Sequence, residues 1–91
     1  LATSGAVTTK SYEYVGVGDN STVLFTVAEG SFVAGSLQVF INGLLMKKGA
    51  GLEEVAETNA AAGTFTFGDA PKKNDEIIVT YRYWPDKREG E

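Results

Sequence analysis

Two apolar runs joined by Asn42 and Gly43 make up the segment Val39–Met46. This arrangement is the strongest short-range signal for a β-hairpin, because both turn residues tolerate the positive φ angles of a type I′ turn. The segment predicts one strand over 36–41 and a return strand over 44–47. A chain that reverses in this way pairs its strands antiparallel, and this limits the architecture more than any other feature of the sequence.

Alternation of apolar and polar residues predicts further strands on both sides of the hairpin. The turn signals recur at intervals of roughly 8–12 residues, which is typical of β-sandwiches and barrels. Residues 52–57 fit a short helix and a strand equally well. We therefore predict an all-β fold, a small antiparallel β-sandwich of the jelly-roll or immunoglobulin-like kind. Its strands are expected over 10–15, 22–27, 36–41, 44–47, 63–68 and 76–84.

The last predicted strand, 76–84, carries apolar residues on both of its faces. One face holds Ile77, Val79, Tyr81 and Tyr83, and the other holds Ile78, Thr80, Arg82 and Trp84. A strand of this kind lies centrally in a sheet or has a partner that covers its second face.

The 91 residues suffice for one domain with one hydrophobic core. Small, weakly patterned residues over 1–9 predict an arm or linker that becomes ordered on contact with a neighbouring chain. We expect the sandwich over 10–85 and a charged, solvated tail over 86–91.

The composition excludes several classes of function. The chain has no cysteine and no histidine, so disulfides and the usual zinc sites are impossible. A net charge of -4 gives no broad attraction to nucleic acid or anionic lipid. No apolar run approaches the roughly 20 residues that span a bilayer. The paired carboxylates Glu53-Glu54 and Asp75-Glu76 would point to opposite faces of a strand, so neither pair forms an acid–base site. We expect no enzymatic activity and no cofactor.

Oxygen-bearing side chains in the predicted turns are candidate calcium ligands. Their spacing is not that of an EF-hand, and turn chemistry alone accounts for Asp and Asn at such places. We therefore predict no metal site at these residues, which are Asp19, Asn20, Asp69, Asn74 and Asp75.

Five aromatic residues are the candidate contact residues. Tyr81, Tyr83 and Trp84 cluster at the end of the last predicted strand, and Tyr12 and Tyr14 are expected across from them in an antiparallel pair. Aromatic rings stack on sugars and anchor protein interfaces. In the alternative interpretation Tyr81 and Tyr83 close the core and only Trp84 is exposed.

A pattern of motifs runs from Thr22 to Tyr83. An apolar strand ends in Asn-Gly, a hairpin and an aromatic strand follow, and Ala-Pro precedes a terminal strand of Ile, Val and Tyr. The positions that carry the pattern are Val39, Ile41, Asn42, Gly43, Phe65, Phe67, Ala70, Pro71, Asp75, Ile77, Val79 and Tyr81. This stretch resembles a β-rich structural module of tailed-bacteriophage virion proteins, such as tail fibres, tail spikes and neck or head appendage and decoration proteins. Asn74 stands where that module usually has glycine, and both residues suit a turn with positive φ.

The resemblance implies a soluble virion component that builds or decorates a phage particle, with other virion subunits as partners and often as a trimer. From it we expect a non-enzymatic structural or adhesion module that acts through protein–protein contacts. The rival interpretation is a carbohydrate-binding module that contacts a host surface glycan through Trp84 with Tyr81 or Tyr83. A third is a β-sandwich from a secreted bacterial adhesin.

Overall fold

The computed structural model describes residues 7–85, whose regular structure is almost entirely β. The predicted all-β class is confirmed. Besides a short 3-10 helix over Ala60–Ala62, these residues form eight strands. The strands are β1 (Thr8–Val17), β2 (Leu24–Thr26), β3 (Gln38–Ile41), β4 (Leu44–Leu45), β5 (Lys47–Lys48), β6 (Glu54–Asn59), β7 (Thr64–Phe67) and β8 (Glu76–Tyr83).

The strands form two four-stranded sheets that enclose the core between them as a sandwich. The first sheet has the order β1-β8-β3-β4, and the second sheet has the order β2-β7-β6-β5. The first strand therefore lies beside the last, whereas in an immunoglobulin-like sandwich it lies beside the second. The pairs β1–β8 and β2–β7 are nested as in a jelly roll, but the hairpin of β3 and β4 within one sheet departs from the jelly-roll order. The neighbouring strands are antiparallel except β5 and β6, so the prediction of antiparallel pairing fails at that one pair.

The hairpin between β3 and β4 turns at Asn42 and Gly43, as predicted. Their φ angles are 52° and 88°, and Ile41 lies opposite Leu44 on the two sides of the turn. Positive φ at both central residues is the geometry of a type I′ turn, whose twist matches that of the flanking strands.

Gly43→Val is expected to destabilise the domain by about 1–2 kcal/mol, because a β-branched residue is strained at positive φ. The free energy of unfolding from urea denaturation measures this loss. Leu44→Val is the control, since it introduces the same side chain at the next, exposed position without positive φ. An unchanged midpoint for the Gly43 variant would contradict the turn geometry.

The core lies between the sheets and is built mainly from β7, β8 and the segment that joins β2 to β3. Phe32, in the loop between β2 and β3, is buried as well, whereas Ile41 at the end of β3 is half-buried. β8 lies between β1 and β3, in keeping with its apolar character on both faces. The buried apolar residues are Val27, Phe32, Leu37, Val39, Val55, Phe65, Phe67, Ile77, Val79 and Tyr81.

The structure differs from the sequence-based expectation in two segments. The predicted return strand over 44–47 divides into β4 in the first sheet and β5 in the second, so the chain crosses between the sheets at Met46. The ambiguous segment 52–57 enters a strand, since β6 begins at Glu54 and pairs with β7. A helix of this length would be only marginally stable by itself. As a strand, the segment is stabilised by its hydrogen bonds to β7.

The expected arm and tail fall mostly outside the described residues, which exclude 1–6 and 86–91. Thr8 and Thr9, which the sequence assigned to the arm, belong to β1. Thr8 pairs there with Tyr83 at the far end of β8.

Candidate functional site

An exposed apolar row crosses the outer face of the first sheet, on the side away from the core. Tyr14 on β1 lies opposite Ile78 on β8. Phe40 on β3 lies between Ile78 and Leu45 on β4. The two ends of the row, Tyr14 and Leu45, are 58% and 57% exposed, and the two central residues are half-buried. We call these four residues, together with Tyr12, the outer patch.

Tyr12 joins the outer patch because of a β-bulge in β1. The pairing register shifts by one residue between Lys10 and Glu13. Within this bulge Tyr12 has a φ of 56° and donates its backbone N–H to the Thr80 hydroxyl at 3.0 Å. Its ring is 72% exposed, with its centroid 6.2 Å from that of Phe40. Because a shift by one residue exchanges the faces of a strand, the bulge places Tyr12 outside and Glu13 inside.

The remaining candidate aromatic residues lie on the other side of the first sheet or at its end. Tyr81 is buried, Tyr83 is half-buried against the core, and Trp84 is 43% exposed just after β8. β1 and β8 pair antiparallel as expected, but Tyr12 and Tyr14 do not lie across from Tyr81 and Tyr83, because the two pairs of tyrosines occupy opposite faces of the sheet. The alternative, in which Tyr81 and Tyr83 close the core and Trp84 is exposed, agrees with their burial.

Glu13 is a buried charged residue whose role the sequence did not indicate. Its Oε1 accepts a hydrogen bond from the Tyr81 hydroxyl at 2.5 Å, and its Oε2 accepts one from the Ala28 N–H at 2.8 Å. Burial, followed by the hydrogen bond to Glu13, raises the pKa of Tyr81, so the hydroxyl remains a donor. These bonds tie β1 and β8 to the loop after β2, which makes Glu13 a structural residue.

Several polar residues in or beside the motif pattern stabilise two turns, the β3–β4 turn and the turn before β8. The Asn42 side chain accepts the Glu76 N–H at 2.9 Å and donates to the Asp75 carboxylate at 2.9 Å. The second Asp75 oxygen accepts the Lys72 N–H at 3.0 Å. Asn74, which replaces the usual glycine, has a φ of 72°. The polar part of the pattern therefore stabilises these two turns.

The candidate calcium ligands in the β1–β2 loop also serve local structure. The Asp19 carboxylate accepts hydrogen bonds from both N–H and hydroxyl of Thr22 and from the N–H of Ser21, and these bonds lower the pKa of Asp19. The Asn20 side chain accepts the Lys73 N–H at 2.9 Å. Across residues 7–85, no group of three or more His, Cys, Asp or Glu side chains is placed to hold a metal ion.

A cleft of about 280 Å³ opens between the sheets at the end that holds the β3–β4 turn. Phe67 is buried there, Ile41 and Met46 are half-buried, and Leu52 is 75% exposed. We call this the end cleft. Its lining residues are Ile41, Met46, Leu52, Glu53, Phe67, Asp69, Ala70, Pro71, Lys72 and Asp75.

No protein-family model, curated protein or solved structure matches this chain. No helix within residues 7–85 is long and apolar enough to cross a membrane. The surfaces of the domain itself, above all the outer patch and the end cleft, therefore indicate what it can bind.

The sequence identified Tyr12 and Tyr14 as candidates but missed the three residues that complete the outer patch. A signal for them was present, since 76–84 is apolar on both faces, which indicated either a central place in a sheet or a partner over the second face. Phe40 gave a similar signal, because it is apolar at an outward position between the inward residues Val39 and Ile41. The end cleft left no sequence signal, since its lining comes from separate strands and loops.

Proposed function

We propose that this domain is a non-enzymatic structural or adhesion module of a phage particle, acting through protein–protein contacts made by the outer patch. The observation that supports the proposal is the outer patch itself, whose two tyrosines are each more than half exposed. Contiguous exposed apolar patches larger than a few hundred Å² are uncommon on monomers and mark sites of interaction. Each aromatic residue can bury about 150–250 Å² in a contact. The phage setting comes from the likeness of Thr22–Tyr83 to virion modules.

The proposed partners are other virion subunits, including further copies of this chain in a trimer. The edges of the first sheet favour contact through its face. One edge strand, β4, has two residues, and the other, β1, is interrupted by two register shifts. Short and bulged edges resist the addition of a strand from another chain, so the apolar face is the better contact surface.

Leu45→Lys is expected to weaken self-association of the full chain by about tenfold or more, because it places a charge within an apolar contact. Sedimentation equilibrium measures the association constant. Leu24→Lys is the matched control, since Leu24 is 54% exposed but lies on β2 in the second sheet. Equal effects of the two variants, or a wild-type chain that stays monomeric, would contradict self-association through the outer patch.

The virion location has a separate test. Antibodies raised against the purified domain should label purified phage particles in electron micrographs. Label confined to other fractions of the infected host culture would contradict the location while leaving the outer patch open to another partner.

Trp84 is the exposed member of the carbohydrate-binding alternative. Because Tyr81 is buried, such a site would use Trp84 with the half-buried Tyr83. Glycan-array binding that disappears in Trp84→Ala would favour this alternative over the structural role, whereas an array without specific binding would count against it.

A further inference from the structure

We infer that the end cleft binds an apolar side chain of a partner protein, and that lysine or arginine residues flank this side chain. The end cleft opens between the sheets, whereas the outer patch lies on the opposite side of the first sheet. The inference goes beyond the proposed virion role and does not depend on it.

The size and apolar character of the end cleft suit one large side chain. Its volume of about 280 Å³ lies below the usual ligand-pocket range of roughly 300–1,000 Å³. Phe67, Ile41 and Met46 supply an apolar surface that is continuous with the core. Leu52 adds a largely exposed apolar side chain at the rim, and an inserted side chain would bury it.

The segment that carries Leu52 is fixed in place before any partner arrives. The Gly51 N–H donates to the Glu54 carboxylate at 3.0 Å, and the Gly68 N–H donates to the Glu54 carbonyl at 3.0 Å. A Cβ atom on Gly68 would overlap the Gly51 carbonyl oxygen, so the glycine allows the two backbones to touch. A wall that is already ordered loses little conformational entropy on binding.

The charges around the end cleft determine which partner fits. Three carboxylates line it, those of Glu53, Asp69 and Asp75, against the single ammonium of Lys72. Lys72 Nζ lies 3.9 Å from Asp69 Oδ2, and the Asp75 oxygens accept hydrogen bonds from the neutral amides of Asn42 and Lys72. An excess of negative charge therefore surrounds the apolar opening, which favours cationic flanking residues and repels anionic ones.

The test is an NMR titration of the full chain with three blocked tripeptides. These are acetyl-Lys-Phe-Lys-amide, acetyl-Glu-Phe-Glu-amide and acetyl-Lys-Gly-Lys-amide. The first should give saturable shifts at the backbone amides of Met46, Leu52 and Phe67. The acidic peptide should bind about tenfold more weakly at low ionic strength, with a smaller difference in high salt. The glycine peptide should not saturate.

Leu52→Ser should weaken binding of the basic phenylalanine peptide about fivefold or more, because it removes the exposed apolar wall. Leu24→Ser is the matched control, at an exposed leucine outside both surfaces, and should bind as the wild type does. The inference is overturned if no saturable shifts occur at the end cleft, if the acidic peptide binds equally well, or if the two serine variants behave alike. Shifts confined to the outer patch would support that contact surface and overturn the role of the end cleft.

Discussion

Phe65→Ala is expected to destabilise the isolated domain by about 3–5 kcal/mol, because it removes a fully buried ring and leaves a cavity. Phe65 lies between two other rings, with centroids 6.0 Å from Phe25 and 5.9 Å from Phe67. Domains of this size have total stabilities of about 5–15 kcal/mol, so this single change removes a large share of the whole. Urea denaturation followed by circular dichroism measures the loss.

Phe40→Ala is the matched control for this prediction. It removes the same side chain from the outer face of the first sheet, where the ring is half-buried. We expect a loss of about 1–2 kcal/mol in the monomer, since part of that ring is already exposed to water. Equal losses for the two variants, at concentrations where the chain is monomeric, would contradict the assignment of Phe65 to the core and Phe40 to a contact surface.

Glu13→Ala is expected to cost about 2–4 kcal/mol of stability, because it leaves two hydrogen-bond donors without their acceptor, one of them in the core. These donors are the Tyr81 hydroxyl and the Ala28 N–H, which both bond to the carboxylate. The measurement is again the free energy of unfolding. Glu53→Ala is the matched control at an exposed glutamate and should change stability by less than about 0.5 kcal/mol.

A double-mutant cycle isolates the contact between the two side chains. Tyr81→Phe alone leaves one carboxylate oxygen without its hydroxyl donor, so it also destabilises the domain. The combined variant Glu13→Ala with Tyr81→Phe should lose less stability than the sum of the two single losses. Once Glu13 is replaced, the Tyr81 hydroxyl has lost its acceptor, so its removal by Tyr81→Phe costs less. Strictly additive losses would show that the hydrogen bond does not stabilise the fold.

Much of the fold could be predicted from local sequence. Asn42 and Gly43 adopt the expected turn because their φ preferences act within the turn itself. The strand predicted over 63–68 forms β7, in which Phe65 and Phe67 are buried, since strict alternation along a strand depends only on neighbouring residues. The same reasoning recognised that β8 is apolar on both faces, and this property accounts for its central place in the first sheet.

What the sequence could not supply depends on contacts between distant residues. The bulge that turns Tyr12 outward exists because β1 pairs with β8, whose residues lie about 70 positions further along the chain. No residue within 10–15 indicates that the strand contains a bulge, so the faces of Tyr12 and Tyr14 relative to Tyr81 were predicted wrongly. The crossing at Met46 is similar, since β5 leaves the first sheet to pair with β6. The sequence therefore identified only two of the five residues of the outer patch, Tyr12 and Tyr14.

The pairing of Thr8 with Tyr83 has a consequence for how the chain folds. β1 is synthesised before every other described strand, whereas its neighbour β8 is synthesised after all of them. The first sheet therefore cannot close on the ribosome until nearly the whole domain has emerged. Such long-range closure is entropically slow, and β-domains of high contact order fold in about milliseconds to seconds. During that interval β1 needs protection from other nascent chains, and its irregular edge provides some.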